Sequence, residues 1–142
     1  MAKLQVEVVS PDKRLLAAQA DEVIAPGADG LFGIRAGHTP YLALLQPGPL
    51  TIVDATNGVK KFFVSGGFAE AGPQHVRVLA EGAEPLESID AAGARKRFED
   101  AKKKLDGISP TTPEYAAQQQ LVRIESKRAE VAEKPEHVFP VR

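Results

Sequence analysis

The chain contains no cysteine and no tryptophan. The first absence excludes disulfides, thiolate nucleophiles and zinc–thiolate centres. The second, with aromatics at only 6%, leaves aliphatic side chains to build the core. Long apolar runs are missing too: none approaches the ~20 residues needed to cross a bilayer. Met1-Ala2-Lys3-Leu4-Gln5 turns polar at once, with no signal-peptide stretch. There is no excess of positive charge, and a net charge of -1 argues against a dedicated nucleic-acid binder. A chain with no signal and no cysteine is expected to be cytoplasmic.

What is present suits one ordinary domain, or a small domain with an appendage, in 142 residues. Hydrophobic residues at 43% suffice for a packed core. Charge is unevenly spread. Residues 1–87 hold 7 Lys and Arg against 10 Asp and Glu, whereas residues 88–134 hold 10 against 8. The pattern of apolar residues changes at the same point, which divides the chain into a body (1–87), an appendage (88–134) and a tail (135–142).

The first part reads as short strands between turn signals. Leu4, Val6 and Val8 alternate with Gln5 and Glu7. Val23-Ile24-Ala25 runs into Pro26-Gly27, and Leu42-Ala43-Leu44-Leu45 stops at Pro47-Gly48. Asn57-Gly58, between Leu50–Val53 and Lys61–Val64, is the strongest hairpin signal. Gly66-Gly67 and Gly72-Pro73 separate the runs that follow. The spacing predicts roughly eight to ten short strands in a sandwich or flattened barrel.

The second part has the helical period. Ala94, Phe98, Ala101 and Leu105 share one face, Lys102–Lys104 suit the negative end of the helix dipole, and Gly107 marks the C-cap. Thr112-Pro113-Glu114 reads as N-cap, first-turn proline and acidic first turn. Ala117, Leu121, Ile124 and Val131 form a second stripe, interrupted by Arg128, and Pro135 ends the pattern. Two helices over 89–106 and 113–133, joined by a short loop, predict an antiparallel hairpin. Its stripes are thin, so the pattern allows either a detachable hairpin or a permanently docked one. The fold class is therefore α+β.

Catalytic constellations are nearly absent. Gly27, Gly30 and Gly33 lack the Lys-Ser or Lys-Thr of a phosphate loop and precede a strand. His38, His75 and His137 lie far apart, and no His-Glu-x-x-His occurs. Ser65 lacks the surrounding pattern of an acyl-transfer elbow. No metal site and no catalytic residue emerge, and the chain is expected not to be an enzyme by itself.

Three stretches carry a resemblance. They are Pro26-Gly27-Ala28-Asp29-Gly30-Leu31-Phe32-Gly33-Ile34, then Gly37-His38-Thr39-Pro40 with Leu44 and Pro47-Gly48-Pro49-Leu50, then Val64-Ser65-Gly66-Gly67-Phe68-Ala69-Glu70 followed by Val76-Arg77-Val78-Leu79-Ala80. Together they resemble the ε-subunit family of bacterial F-type ATP synthases, across essentially all of residues 1–133. The resemblance implies an N-terminal β-sandwich followed by a C-terminal antiparallel two-helix hairpin, at the foot of the central stalk of a rotary motor. The sandwich would bind the γ subunit and rest on the c-ring, coupling proton transport to ATP synthesis. The hairpin would fold against the sandwich, or extend into the α/β catalytic ring and inhibit ATP hydrolysis. The location implied is peripheral, on the cytoplasmic face of the bacterial plasma membrane, with no transmembrane segment of its own and no nucleic-acid partner.

The resemblance also points to residues. Asp29, Gly30, Leu31 and His38 correspond to the c-ring contact; many relatives carry an acidic residue where this chain has Leu31, leaving Asp29 to supply charge. Ile89, Asp90 and Ala94 match part of a nucleotide-binding motif, but Gly93 stands where that motif has arginine. Arg95 lies two residues on, roughly 200° around a helix. Weak or no ATP binding is expected, and no other cofactor. Arg123, Lys127 and Arg128 correspond to cations that meet acidic segments of the catalytic β subunits. The alternatives are a stand-alone ligand- or oligonucleotide-binding β module, which the sparse basic and aromatic alternation disfavours, and a small enzyme using His38 with Asp29.

Overall fold

Alternating apolar positions become paired strands through the first half of the chain. The computed structural model describes residues 3–140, so the first two residues of the 1–87 body and the last two of the 135–142 tail lie outside the described residues. Ten strands are present among the described residues: β1 (Leu4–Val9), β2 (Arg14–Ala20), β3 (Glu22–Gly27), β4 (Gly30–Arg35), β5 (Tyr41–Leu45), β6 (Gly48–Asp54), β7 (Gly58–Val64), β8 (Gly67–Ala71), β9 (His75–Ala80) and β10 (Ala83–Pro85). They are followed by α1 (Ala91–Asp106), α2 (Pro113–Glu133) and a single turn, α3 (Pro135–Val138). The expected α+β class, a β-sandwich and then a helical hairpin, is borne out.

The strands form one hydrogen-bonded network in the order β10-β7-β6-β3-β5-β8-β9-β1-β2, with β4 paired to β3. β1 joins β9 in parallel, Val6 opposite Val76, and β2 antiparallel, Val6 opposite Ala18. Strand β3 serves both layers: Glu22–Ile24 pair with β6, and Gly27 pairs with Leu45 of β5. The enclosed core is aliphatic, as the missing tryptophan requires. Leu4, Val8, Val23, Ile34, Leu50, Val64, Val76 and Val78 are fully buried, with Phe62 a rare aromatic among them. Each such side chain contributes about 1.5–3 kcal/mol relative to exposure.

Glycine is required at several turns, two of which show why. Gly58 closes the β6–β7 hairpin at φ +92°, after a three-residue loop rather than a two-residue Asn-Gly turn. At Gly67 a Cβ would lie 2.1 Å from the Leu79 carbonyl oxygen, and φ is +131°. Beyond the turns, a clamp pins the N-terminus. Lys3 Nζ lies 2.8 Å from Asp54 Oδ1 and 3.0 Å from Asp21 Oδ1.

The two long helices run close to the expected bounds, α1 starting at Ala91 rather than 89, with capping that differs from the sequence reading. Asp90 caps α1 by accepting from the Gly93 amide at 2.9 Å. Gly107 follows α1 at φ −89°, outside the left-handed region. Thr112 occupies the N-cap of α2, but its hydroxyl donates to Ser109 O at 2.7 Å and leaves the helix uncapped by side chain.

The expected stripe on α2 needs correction. Its buried residues are Gln118, Glu125, Ala129 and Val131, whereas Leu121 is exposed. Gln118, Glu125 and Ala129 recur at spacings of seven and four and share one face. Gln118 donates to Ala101 O at 3.0 Å, and Arg97 Nε meets Glu125 at 2.8 Å. A count of apolar residues misses such a face because two of its three buried members, Gln118 and Glu125, are polar and paired. Val131 turns to the body instead. With Phe63 and Phe139 it forms a second cluster, flanked by Leu86, Ile89, Ile124 and Val138. Pro135 restarts a helical turn, and α3 brings Phe139 into that cluster.

Candidate functional site

Strand register builds an apolar surface that stays exposed among the described residues. Leu44 of β5 stands opposite Phe68 of β8, and Phe68 opposite Leu79 of β9. These three are 60%, 47% and 45% exposed, and Leu42, two residues from Leu44 on the same face, is 65% exposed. Neighbouring Ala43, Leu45, Ala69, Val78 and Ala80 point inward and are buried. Side chains directly opposite across strands lie about 5 Å apart, so Leu44, Phe68 and Leu79 form one continuous row. A polar row runs beside it. Glu70 is opposite Arg77, Arg77 Nε lies 2.9 Å from Glu7, and Arg14 lies 3.0 Å from the same carboxylate. An apolar centre with a charged border is the anatomy of a protein–protein interface.

The sequence carried a signal for this surface. In Leu42-Ala43-Leu44-Leu45 both phases of the strand are apolar, and a strand with one wet face has no need of that. The resemblance drew attention to the flanking turns instead.

Those turn residues lie at the two ends of β4, Asp29, Gly30 and Leu31 at its start and His38 beyond its finish. Ala28-Asp29 is the two-residue tip of the β3–β4 hairpin, closed by Gly27 opposite Gly30, and Gly30 has φ +121°. Asp29 and Gly30 are exposed, and so is Leu31. His38 lies beyond the far end of β4, its Nδ1 2.6 Å from Thr39 O. No hydrogen bond, ion pair or ring contact joins Asp29 to His38 among the described residues. Rings connect the two regions: His38 lies 6.1 Å from Tyr41, and Tyr41 makes an edge contact with Phe32 at 5.9 Å. The turn is tied to the hairpin by Gln46, which donates to Ala28 O at 3.0 Å and accepts from Arg123.

The three nucleotide-motif positions have structural duties. Ile89 packs in the second cluster, Asp90 caps α1, and Ala94 is buried. A Cβ at Gly93 would meet Asp90 Oδ2 at 2.8 Å. Arg95 is directed to Glu133, with Nε 2.8 Å from Oε2. That contact raises the guanidinium pKa and lowers that of the Glu133 carboxyl. Between hairpin and body lies a cleft of about 440 Å3, lined by Phe63, Ser65, Glu84, Arg97, Glu125 and Arg128 among others. Both of its arginines face carboxylates of the chain itself: Arg97 pairs with Glu125, and Arg128 with Glu84.

The candidate inhibitory cations are likewise engaged. Arg128 is 11% exposed and grips Glu84 through Nε and, at 3.2 Å, through Nη2. Lys127 pairs with Glu130 at 3.2 Å within α2, and Arg123 donates to Gln46. Arg128 therefore does not interrupt a contact face; it docks α2 onto β10. Among the described residues no group of three or more His, Asp or Glu side chains is placed to hold a metal ion. No helix there is long and apolar enough to cross a membrane.

Comparison with known proteins agrees with this architecture. The family described as ATP synthase, Delta/Epsilon chain, beta-sandwich domain matches residues 3–86. The ATP synthase epsilon chain of Myxococcus xanthus is 48% identical over 128 residues, 90% of this chain and 93% of that one. That of Anaeromyxobacter dehalogenans strain 2CP-1 is 40% identical over 129 residues, 91% and 97% of the two chains. Two solved structures share the fold. A chain in the Euglena gracilis mitochondrial ATP synthase (OSCP/F1/c-ring) superposes with TM-score 0.77 at 24% identity, covering 89% of this chain and 79% of that one. One in the Tetrahymena thermophila mitochondrial ATP synthase central stalk and c-ring gives 0.56 at 19%, covering 89% and 96%. With the sandwich matched along its length and bacterial relatives spanning both sandwich and hairpin, the chain belongs to the family of ATP synthase epsilon chains.

Proposed function

We propose that this chain is a non-catalytic subunit of the central stalk of a bacterial F-type ATP synthase. It couples proton-driven rotation of the c-ring to the catalytic head through γ, and its hairpin restrains ATP hydrolysis. The observation that carries the coupling role is the row Leu44, Phe68 and Leu79 with Leu42. A rotor component must transmit torque without slipping. An apolar row set on hydrogen-bonded strands and bordered by the Glu70–Arg77–Glu7–Arg14 charges offers both adhesion and orientation. We assign this surface to γ. The β3–β4 tip formed by Asp29, Gly30 and Leu31 is assigned to the c-ring, together with His38 at the other end of β4; Leu31 supplies apolar contact and Asp29 charge. The complex then sits at the cytoplasmic face of the plasma membrane, held there through its partners.

The hairpin, residues 88–134, is the regulatory part of the proposal, and the β body, residues 1–87, is the rotor-binding part. When α2 leaves the body, Arg123 and Arg128 lose their partners there and, with Lys127, which keeps Glu130 on its own helix, can meet acidic surfaces of the catalytic ring. Each exposed pair is worth only ~0.2–1 kcal/mol, so the brake acts through several cations together. Nucleotide has no part in it, because the chain supplies its own carboxylates to the arginines of the cleft.

The test is co-purification with γ. Replacing Phe68 and Leu44 by Gln is expected to abolish γ binding while leaving the circular dichroism spectrum of the isolated chain unchanged, since the two side chains are 47% and 60% exposed. Retained γ binding by the folded double variant overturns the assignment.

A further inference from the structure

The hairpin's ion pairs divide by what they join. Arg95–Glu133 and Arg97–Glu125 connect α1 to α2, and Lys127–Glu130 stays within α2. Arg128–Glu84 crosses from α2 to the body. Glu84 sits on β10, a three-residue strand paired to β7 with Glu84 opposite Phe63. Phe63 belongs to the cluster that receives Val131 of α2. The carboxylate is thus held where the hairpin docks, on an element joined to α1 only through the short turn Leu86–Ser88. Arg128, at 11% exposure against 34% for Glu84, is the more enclosed partner. Any acidic surface that is to meet Arg128 must take it from Glu84.

We propose that Glu84 is an internal stand-in for the acidic surface that the hairpin meets when extended, so that docking masks Arg128 and Glu84 sets the balance between the masked and released hairpin. This rests on the reading of α2 as a brake and names the residue that regulates it. One guanidinium cannot satisfy both carboxylates, because α2 must leave β10 to reach another subunit. The two engagements are therefore mutually exclusive, and removing one shifts the population toward the other by the difference in their stabilities. The contrast with Arg123 is instructive: its partner on the body is the neutral Gln46, and a neutral hydrogen bond is a weaker competitor than a charge-assisted, two-point pair.

Two readouts on the same variants test this. In the isolated full-length chain, hydrogen exchange of α2 amides reports docking, with β-body amides as the folding control. In the reconstituted complex, steady-state ATP hydrolysis reports inhibition. Glu84→Gln is expected to lower α2 protection about tenfold, the scale of one lost charge-assisted contact, and to deepen inhibition. Arg128→Ala is expected to lower α2 protection similarly but to relieve inhibition, and the double variant should behave as Arg128→Ala. Glu84→Asp, which keeps the charge, should lie between wild type and Glu84→Gln in both readouts. If Glu84→Gln leaves α2 protection unchanged with the body folded, the proposal is overturned and the brake reading stands. If α2 protection falls without any change in inhibition, competition is overturned; an Arg123→Ala, Lys127→Ala, Arg128→Ala triple variant that also inhibits normally then shows that the brake reading itself has failed. Should Glu84→Gln disturb the body amides, Glu84→Asp and the opposite effects required of Arg128→Ala on docking and inhibition still decide.

Discussion

The β body and the helical hairpin are held by different forces. In the body, Leu4, Val8, Val23, Ile34, Leu50, Val76 and Val78 meet one another in a dry aliphatic core. In the hairpin, the buried side chains of α1 are two alanines, and those of α2 include Gln118 and Glu125. Alanine removes little apolar area from water, so specific pairs such as Arg97–Glu125 and Gln118–Ala101 O set the fit of the two helices. Apolar burial has no alternative partner that would not itself require unfolding. A salt bridge does, since any other carboxylate of similar geometry serves. This difference suits the body to transmitting force and the hairpin to changing partners.

The comparison breaks most easily in the core. Leu50→Ala is expected to cost about 2–5 kcal/mol of global stability, read as a shifted denaturation midpoint. The fragment 1–87 should reproduce the transition of the body in the full chain, because the core cluster draws no residue from the hairpin. A fragment that is unfolded by circular dichroism would show that the hairpin is part of the body's stability, and the contrast drawn above would fail.

A smaller effect tests electrostatics inside the body. The Lys3 ammonium, with the Thr56 amide and the Asn57 side chain, holds the Asp54 carboxyl well below the usual carboxylate range. The Ala55 amide and Lys3 lower Asp21 as well, and the two carboxylates raise Lys3. For depressed carboxyls the stabilisation is complete above the unfolded value near ~4 and is lost as pH falls toward the folded value. For Lys3 it is present below about 10.4 and is lost as pH rises beyond that. Asp54→Asn should therefore lower the melting temperature at neutral pH, with the difference from wild type narrowing below about pH 4. A constant difference across that range would assign the effect to packing.

The smallest effect expected is none. Since Glu125, Glu84 and Glu133 already occupy Arg97, Arg128 and Arg95, ATP offered to the isolated chain should give no resolvable calorimetric heat. Micromolar affinity would show that a triphosphate displaces these carboxylates, and would bring the hairpin under ligand control.

Much of this was legible in the residues. Alternation marked β1 and β9, Gly and Pro marked the turns, and Thr112-Pro113 marked the start of α2 because fixed φ is a local property; Asp90 as the cap of α1 was not read. The turns at Asp29 and His38 were legible, but the aromatic link between them through Tyr41 and Phe32 was not, because ring contacts depend on how β4 and β5 are brought together. The α2 face was misjudged for a related reason: hydrophobicity along a helix cannot say that Glu125 finds Arg97.

The sequence by itself determined the periods, the break near residue 87, the aliphatic character of the core and membership of a family. The tertiary structure alone decided which of two apolar strand phases stays in water, that β1 runs parallel to β9, and that Arg128 belongs to Glu84, 44 positions away. Periodicity of two or 3.6 residues is set by neighbours along the chain. Register and ion pairing across dozens of residues depend on how the folded layers superpose, and no local pattern encodes that.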